Sequence, residues 1–229
     1  QPYWYQPGHP VDPAEAAGVT TLPGFELEKF FDIPDELGSW TAIATDHKGR
    51  LICAAQHQPG LYRLETEGVK SGRVTAAKLT GAAETMGWCH GLLVAFDSLY
   101  VVVAEGNDTT PPGLYRLTDA DGDDQYDQSE RIVGFDAVGE HAVHNLVVGP
   151  DGESLYLMCG NGTPVPETVD HVLPSPTDGI DHLMPPGFEL SRHTTAGFVL
   201  KLRPDGSEQV VICGGLRNSY DLAFNRDGD

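Results

Sequence analysis

The apolar residues of this chain come in short runs, each closed by a tight turn, and not at helical spacing. Runs such as LYVVVAE from Leu99 and LYLMC from Leu155 are rich in β-branched and aromatic residues. They are bounded by the turn sequences HKGR, PDGE and RDGD. That pattern predicts strands joined by hairpins, with no long helix. The runs also recur in pairs, an apolar run ending in Asp, a turn and a second apolar run: TAIATDHKGRLICAAQ from Thr41, GLLVAFDSLYVVVAEG from Gly91 and NLVVGPDGESLYLMCGNG from Asn145. DLAFNRDGD from Asp221 begins a fourth.

Each pair is followed by a further strand signal. The hexapeptide PGLYRL stands at Pro59 to Leu64 and again, identically, at Pro112 to Leu117, with a diverged copy, GFVLKL, at Gly197 to Leu202. Self-similarity at a period of roughly 50 residues in a strand-rich chain predicts an all-β fold, a β-propeller with one four-stranded blade per repeat. Blade one is expected at about 40–80, blade two at about 87–135, and blade three at about 144–214 with an insertion at about 163–195. The start of blade four falls at 218–229, and a Pro-rich arm at 1–23 precedes the propeller part, 24–229. Propellers close with about four to eight blades, so the expectation is the N-terminal part of a longer protein.

Charge narrows the partners. With 34 acidic residues against 14 basic, the formal net charge is −20, which argues against a nucleic-acid backbone or an anionic membrane surface as a partner. No apolar stretch is long enough to cross a bilayer, so no membrane insertion by this chain is expected. The start at Gln1 followed by the Pro-rich arm fits a mature exported protein, and the expected location is extracytoplasmic, periplasmic or secreted. A chain cut back at its N-terminus for other reasons would show the same start. Cys53, Cys159 and Cys213 lie inside apolar strand runs, where buried free thiols are favoured over disulfides.

Function in a propeller gathers where inner strands meet the central channel. The segments entering those strands are Met86 to His90, Gly139 to Asn145 and Gly215 to Tyr220. Being repeat-equivalent, they are expected to converge on one rim and bring Glu140, His90, His141, His144, Arg217 and Asn218 together. Histidine can accept a proton near neutral pH, and arginine can stabilise a developing oxyanion. The alternative is loop histidines and a strand-capping arginine that bind nothing.

The segments EHAVHNLVVGPDGESLYLMCGN and GGLRNSYDLAFNRDGD resemble the glucose/sorbosone dehydrogenase family, six-bladed propellers that include soluble enzymes using pyrroloquinoline quinone (PQQ). With GLYRLTDADGDDQYD they look most like a branch of large proteins from planctomycetes and related bacteria, known as membrane-bound dehydrogenases. In that branch helical repeats and a cytochrome c domain typically follow the propeller. The resemblance implies His141 as general base for a sugar or alcohol hydroxyl, Arg217 as the residue polarising the quinone carbonyl, and Asn218 as its cofactor-binding neighbour. It also places Asn161, His90 and His144 at the cofactor. Two positions depart from the family. Asn161 stands where the soluble enzymes have Asp, so a carboxylate to orient His141 is absent unless Glu140 substitutes, and Cys89-His90 stands where they offer amide side chains.

A second constellation is the acidic stretch Asp119 to Glu130, with oxygen ligands at alternate positions as in a calcium loop. Asp124 replaces the Gly of the sharp turn, and a strand precedes the loop, so the pattern is not that of an EF-hand. Asp119, Asp121, Asp123 and Asp127 are the candidate ligands for a structural Ca²⁺. A solvated acidic hairpin is the alternative. The insertion carries Asp170-His171 and Asp181-His182 and is long enough to serve as a lid or a docking loop.

Two classes of function stand side by side. One is a quinone-dependent dehydrogenase acting on a sugar or other small alcohol and passing electrons to a cytochrome c domain elsewhere in the protein. The other is a non-catalytic propeller that binds carbohydrate or a protein at its rim. A calcium-dependent lactonase-like hydrolase suits the His141 and Arg217 pairing less well.

Overall fold

The computed structural model describes residues 23–24, 31–55, 58–65, 74–137, 139–166, 169–171 and 197–229. Nearly all of the N-terminal arm, and most of the insertion with His182, lie outside the described residues. Gln1–Asp32 and Ile33–Asp229 form two units, and the sheets belong to the second.

Three antiparallel sheets follow one another along the chain. The first runs β1 (Trp40–Thr45), β2 (Leu51–Ala55), β3 (Leu61–Glu65) and β4 (Thr75–Lys78), each pairing with the next. The second repeats this order with β5 (Cys89–Ala95), β6 (Ser98–Val103), β7 (Gly113–Thr118) and β8 (Gln128–Gly134). The third has β9 (Val143–Val148), β10 (Leu155–Cys159), then β12 (Phe198–Leu202) and β13 (Val210–Gly214). A two-residue strand, β11 (Asp170–His171), pairs in parallel with β13 and caps its outer edge. The helical elements among the described residues are short 3₁₀ turns, Asp35–Leu37 and Ala82–Thr85. This is part of a β-propeller, one blade per sequence repeat.

Blade packing explains the run of apolar residues in β6. All six of its residues are buried. Leu99, Val101 and Val103 enter a core shared with blade one, beside Ile52, Ala54, Leu61 and Leu117. Tyr100 and Val102 point the other way, into a core shared with blade three, beside Leu146, Leu157, Phe198 and Leu200. A strand with both faces covered needs no polar alternation. On the faces turned away from these cores, Ile43 is 62% exposed on β1, and Val210 and Ile212 stand exposed on β13.

The inner strands converge. A Cβ at Gly91 of β5 would come within 2.8 Å of the Asn145 backbone on β9, so only glycine permits this approach. After β13 the chain turns inward again. Asn145 donates its side-chain N–H to Asp221 at 3.2 Å, and Phe224 packs edge-on against Tyr156.

The opposite ends of the inner strands are tied by charge. Buried Asp46 accepts the Lys48 and Arg50 amides at 2.9 and 2.8 Å and Arg50 Nε at 2.8 Å. Burial pushes its carboxyl up, but these donors outweigh burial and hold it below the ordinary range. Asp124 of the β7–β8 loop pairs with Lys48 and Arg50, and Arg63 donates to its backbone carbonyl. The loop of blade two is thereby fastened to blade one.

All four cysteines are free. Cys53, Cys89 and Cys159 are buried, and burial pushes the Cys53 thiol up to about 11. Cys213 differs from expectation, because a register shift between Val199 and Leu200 accompanies its exposure on β13.

Leu117→Ala should cost about 2–5 kcal/mol by opening the shared core. Ile43→Ala, on an uncovered face, should change stability by less than about 0.5 kcal/mol. Urea denaturation of the two variants beside the parent chain measures both.

Candidate functional site

Each inner strand carries a β-bulge at the same place. In β1, Trp40 and Ala42 pair with consecutive residues, leaving Thr41 extra. In β5, Cys89 pairs with Val103 and Gly91 with Val102, leaving His90 extra. In β9 the register shifts between Leu146, opposite Leu157, and Val143, opposite Cys159, so that His144 and Asn145 share one partner position. A bulge breaks the two-residue alternation and re-aims a side chain. Here it sets His90 and His144 at equivalent positions of neighbouring inner strands.

The two imidazoles stack, with centroids 5.4 Å apart and planes within 10°. Tyr220, delivered by the segment after β13, lies 4.6 Å from the His144 ring and 5.9 Å from the His90 ring. His144 is fully buried, His90 is 8% exposed, and Tyr220 is open to solvent. Burial, reinforced by His90, depresses the His144 imidazole to about 4; nearby Asn218 opposes the shift and His141 adds to it. His144 is therefore neutral at any ordinary working pH.

His141 lies in the turn before β9 and is 3% exposed. Its Nδ1 sits 2.7 Å from Asn161 Oδ1. An amide oxygen only accepts, so Nδ1 donates to it, and in the tautomer of the uncharged ring that does so the lone pair is on Nε2. Asn161, not Glu140, orients the ring. Glu140 is exposed and its Oε1 stands 3.8 Å from Nε2, on the lone-pair side. Nδ1 thus has an amide partner in Asn161 where the soluble enzymes have Asp, and Glu140 does not bond that nitrogen.

Backbone bonds lock the group. Asn161 N donates to Arg217 O at 2.8 Å, Gly162 N to His141 O at 2.8 Å and Gly160 N to Ala142 O at 2.7 Å. Gly197 has a φ of 72°, and a Cβ there would meet Leu216 O at 1.7 Å, so the chain leading to Arg217 is held flush against the turn. The structure thus brings His90, His141, His144, Asn161 and Tyr220 to one rim, with Arg217 and Asn218 exposed on the adjoining segment.

The acidic loop lies apart from this rim. Asp119, Asp121 and Asp127 each bring a carboxylate oxygen within 4.8 Å of the others, a set that could hold a hard cation. Asp123 is not part of it; its carboxylate accepts the Gln125 amide at 2.8 Å. Asp119 also accepts the Gly122 and Asp124 amides, and Asp127 the Ala120 amide. Asp124 takes the left-handed conformation, φ 68°, where an EF-hand loop has Gly.

Sequence reading missed Tyr220 as part of the aromatic stack and missed the bulges. The signal for the bulges was present in the repeat, since Thr41, His90 and His144 each stand one residue into the inner strand.

No known family's sequence profile matches the chain, and no curated protein does. Solved structures do. The PQQ-bound form of the aldose sugar dehydrogenase from Streptomyces coelicolor is 17% identical with a TM-score of 0.52, over 84% of this chain and 55% of that one. A candidate oxidoreductase (glucose dehydrogenase) from Thermus thermophilus is 18% identical with a TM-score of 0.50, over 83% and 55%. The chain thus spans little more than half the length of these two proteins. The likeness establishes the fold.

Proposed function

We propose that this rim belongs to a quinone-dependent dehydrogenase that oxidises a sugar or other small alcohol. The observation that carries the reading is the His141 to Asn161 hydrogen bond, which presents Nε2 as a proton acceptor beside an exposed arginine. The PQQ bound by the Streptomyces coelicolor protein of similar fold supports the choice of acceptor. The residues present suit such a group. Arg217 and Asn218 would hold its polar edge, and Tyr220, exposed and backed by the buried His144 ring, offers flat aromatic surface beside it. When bound, PQQ supplies the two-electron acceptor that side chains lack.

The remaining steps belong to this chain. His141 Nε2 takes the substrate hydroxyl proton, and Asn161 holds the ring so that this nitrogen faces the substrate. Glu140, 3.8 Å away and open to water, stabilises the imidazolium and passes the proton outward. Arg217 places fixed positive charge where oxyanion character develops. The proposal extends to an extracytoplasmic location and to a cytochrome c domain of the full-length protein as the electron acceptor.

Titrating the full-length protein with PQQ and calcium, followed by tryptophan fluorescence and by dye reduction with a sugar panel, tests this reading. His141→Ala should keep binding and lose turnover by about 10²–10⁴-fold. Arg217→Ala should weaken binding as well as turnover. Absence of binding to folded protein would overturn the reading and leave a rim that binds carbohydrate or protein without redox chemistry.

Burial of the neutral His144 ring also has a measurable cost in acid. The folded His144 pKa, about 4, lies below the unfolded value, so between about pH 6.5 and 4 the unfolded chain binds more protons. Its contribution is complete above pH 6.5 and falls by about 3 kcal/mol as the pH drops to 4. His144→Phe should flatten that part of the stability profile, measured by urea denaturation at a series of pH values.

A further inference from the structure

A cleft of about 480 Å³ opens between blades one and two at the hairpin ends of the inner strands, the ends opposite the histidine stack. Its walls come from the β1–β2 turn, the β5–β6 turn and the β7–β8 loop. Blades two and three fill the equivalent interblade space with tyrosine. Tyr100 reaches across to donate to Pro204 O at 2.9 Å, and Tyr156 packs on Phe224. Blade one has Ile52 at that repeat position, and Tyr126 enters from the other side without closing the space.

Two guanidinium N–H groups at this cleft lack acceptors. Arg63 is 6% exposed, and its Nε lies 3.8 Å from Asp46 Oδ2, too far for a hydrogen bond; Arg50 Nη2 is likewise buried without a partner. Unpaired buried donors call for an oxygen ligand. The charge balance decides which kind. Asp46, Asp97, Asp119 and Asp124 line the cleft against Arg50 and Arg63, with Lys48 pairing Asp124 from outside. Carboxylates outnumber cations, so an anion would meet net repulsion. A hydroxyl group is neutral, accepts from a guanidinium and donates to a carboxylate at once. Phe96, 38% exposed, together with Tyr126 and Val94 supplies an apolar wall.

We propose that this cleft binds a neutral polyhydroxylated ligand, a saccharide chain by chemical class, with its hydroxyls between the arginines and aspartates and a C–H face against Phe96. The site is separate from the rim and does not depend on the redox reading.

The test is calorimetric titration of the chain, without quinone, using cellotriose and maltotriose, with phosphate and acetate as anion controls. Phe96→Ala and Asp97→Asn change exposed turn residues outside the ion network, and circular dichroism of each variant checks that it is folded before titration. One trisaccharide should bind saturably, and each variant should weaken its binding about fivefold. His141→Ala should leave this affinity unchanged, which separates the cleft from sugar bound at the rim. The proposal is overturned by no saturable trisaccharide binding, by binding that phosphate or acetate displaces, or by binding lost in His141→Ala and kept in the cleft variants.

Discussion

Burial of both faces of a sheet is the constraint on which this structure depends. Blade two shows it directly, because β6 contributes alternate residues to two separate cores. Such a sheet is held by its neighbours as much as by its own hydrogen bonds. The blades therefore pack radially, and their inner strands are forced together. Gly91 marks how close that approach is, since even a methyl group would collide with the Asn145 backbone.

Crowding at the centre is what makes the bulges useful. A regular strand would send successive side chains to the two blade interfaces, leaving few directed at the rim. The extra residue at His90, and the shared position at His144 and Asn145, interrupts that alternation. The histidines then meet each other, 5.4 Å apart, and not the apolar cores. Because the bulges repeat with the blades, the fold supplies the geometry, and sequence changes at these positions determine what the rim can do. Thr41, at the blade-one position, donates to Cys89 O at 2.8 Å and so ties the first inner strand to the second.

Strands, turns and the repeat were legible in the sequence because both-face burial writes itself as unbroken apolar runs and because PGLYRL recurs unchanged. The meeting of His90 and His144 was legible for the same reason, as equivalent positions of equivalent strands. What stayed hidden depends on contacts distant in the chain. The partner of His141 is twenty residues on, and nothing in composition says that Asn161 bonds Nδ1 while Glu140 faces Nε2. The acidic loop shows a similar limit. Spacing nominated four aspartates, but the loop closes on its own amides, turning Asp123 to Gln125 and Asp124 to the cations of blade one.

The two ends of the inner strands solve opposite electrostatic problems. At the hairpin end, charges are buried and must be matched, so Asp46 and Asp124 gather Arg50, Arg63 and Lys48 around them, at the cost of two N–H groups left without acceptors. At the rim, the buried ring stays uncharged. His144 is neutral because burial disfavours its charged form, with His90 and then His141 adding to that effect. The exposed charged groups there are Arg217, Glu140 and Asp221, the last held by the Asn145 side chain. In a chain of net charge −20, the Arg217 guanidinium beside the neutral His144 ring is a local positive charge, which attracts electron-rich oxygens and not electron-poor groups.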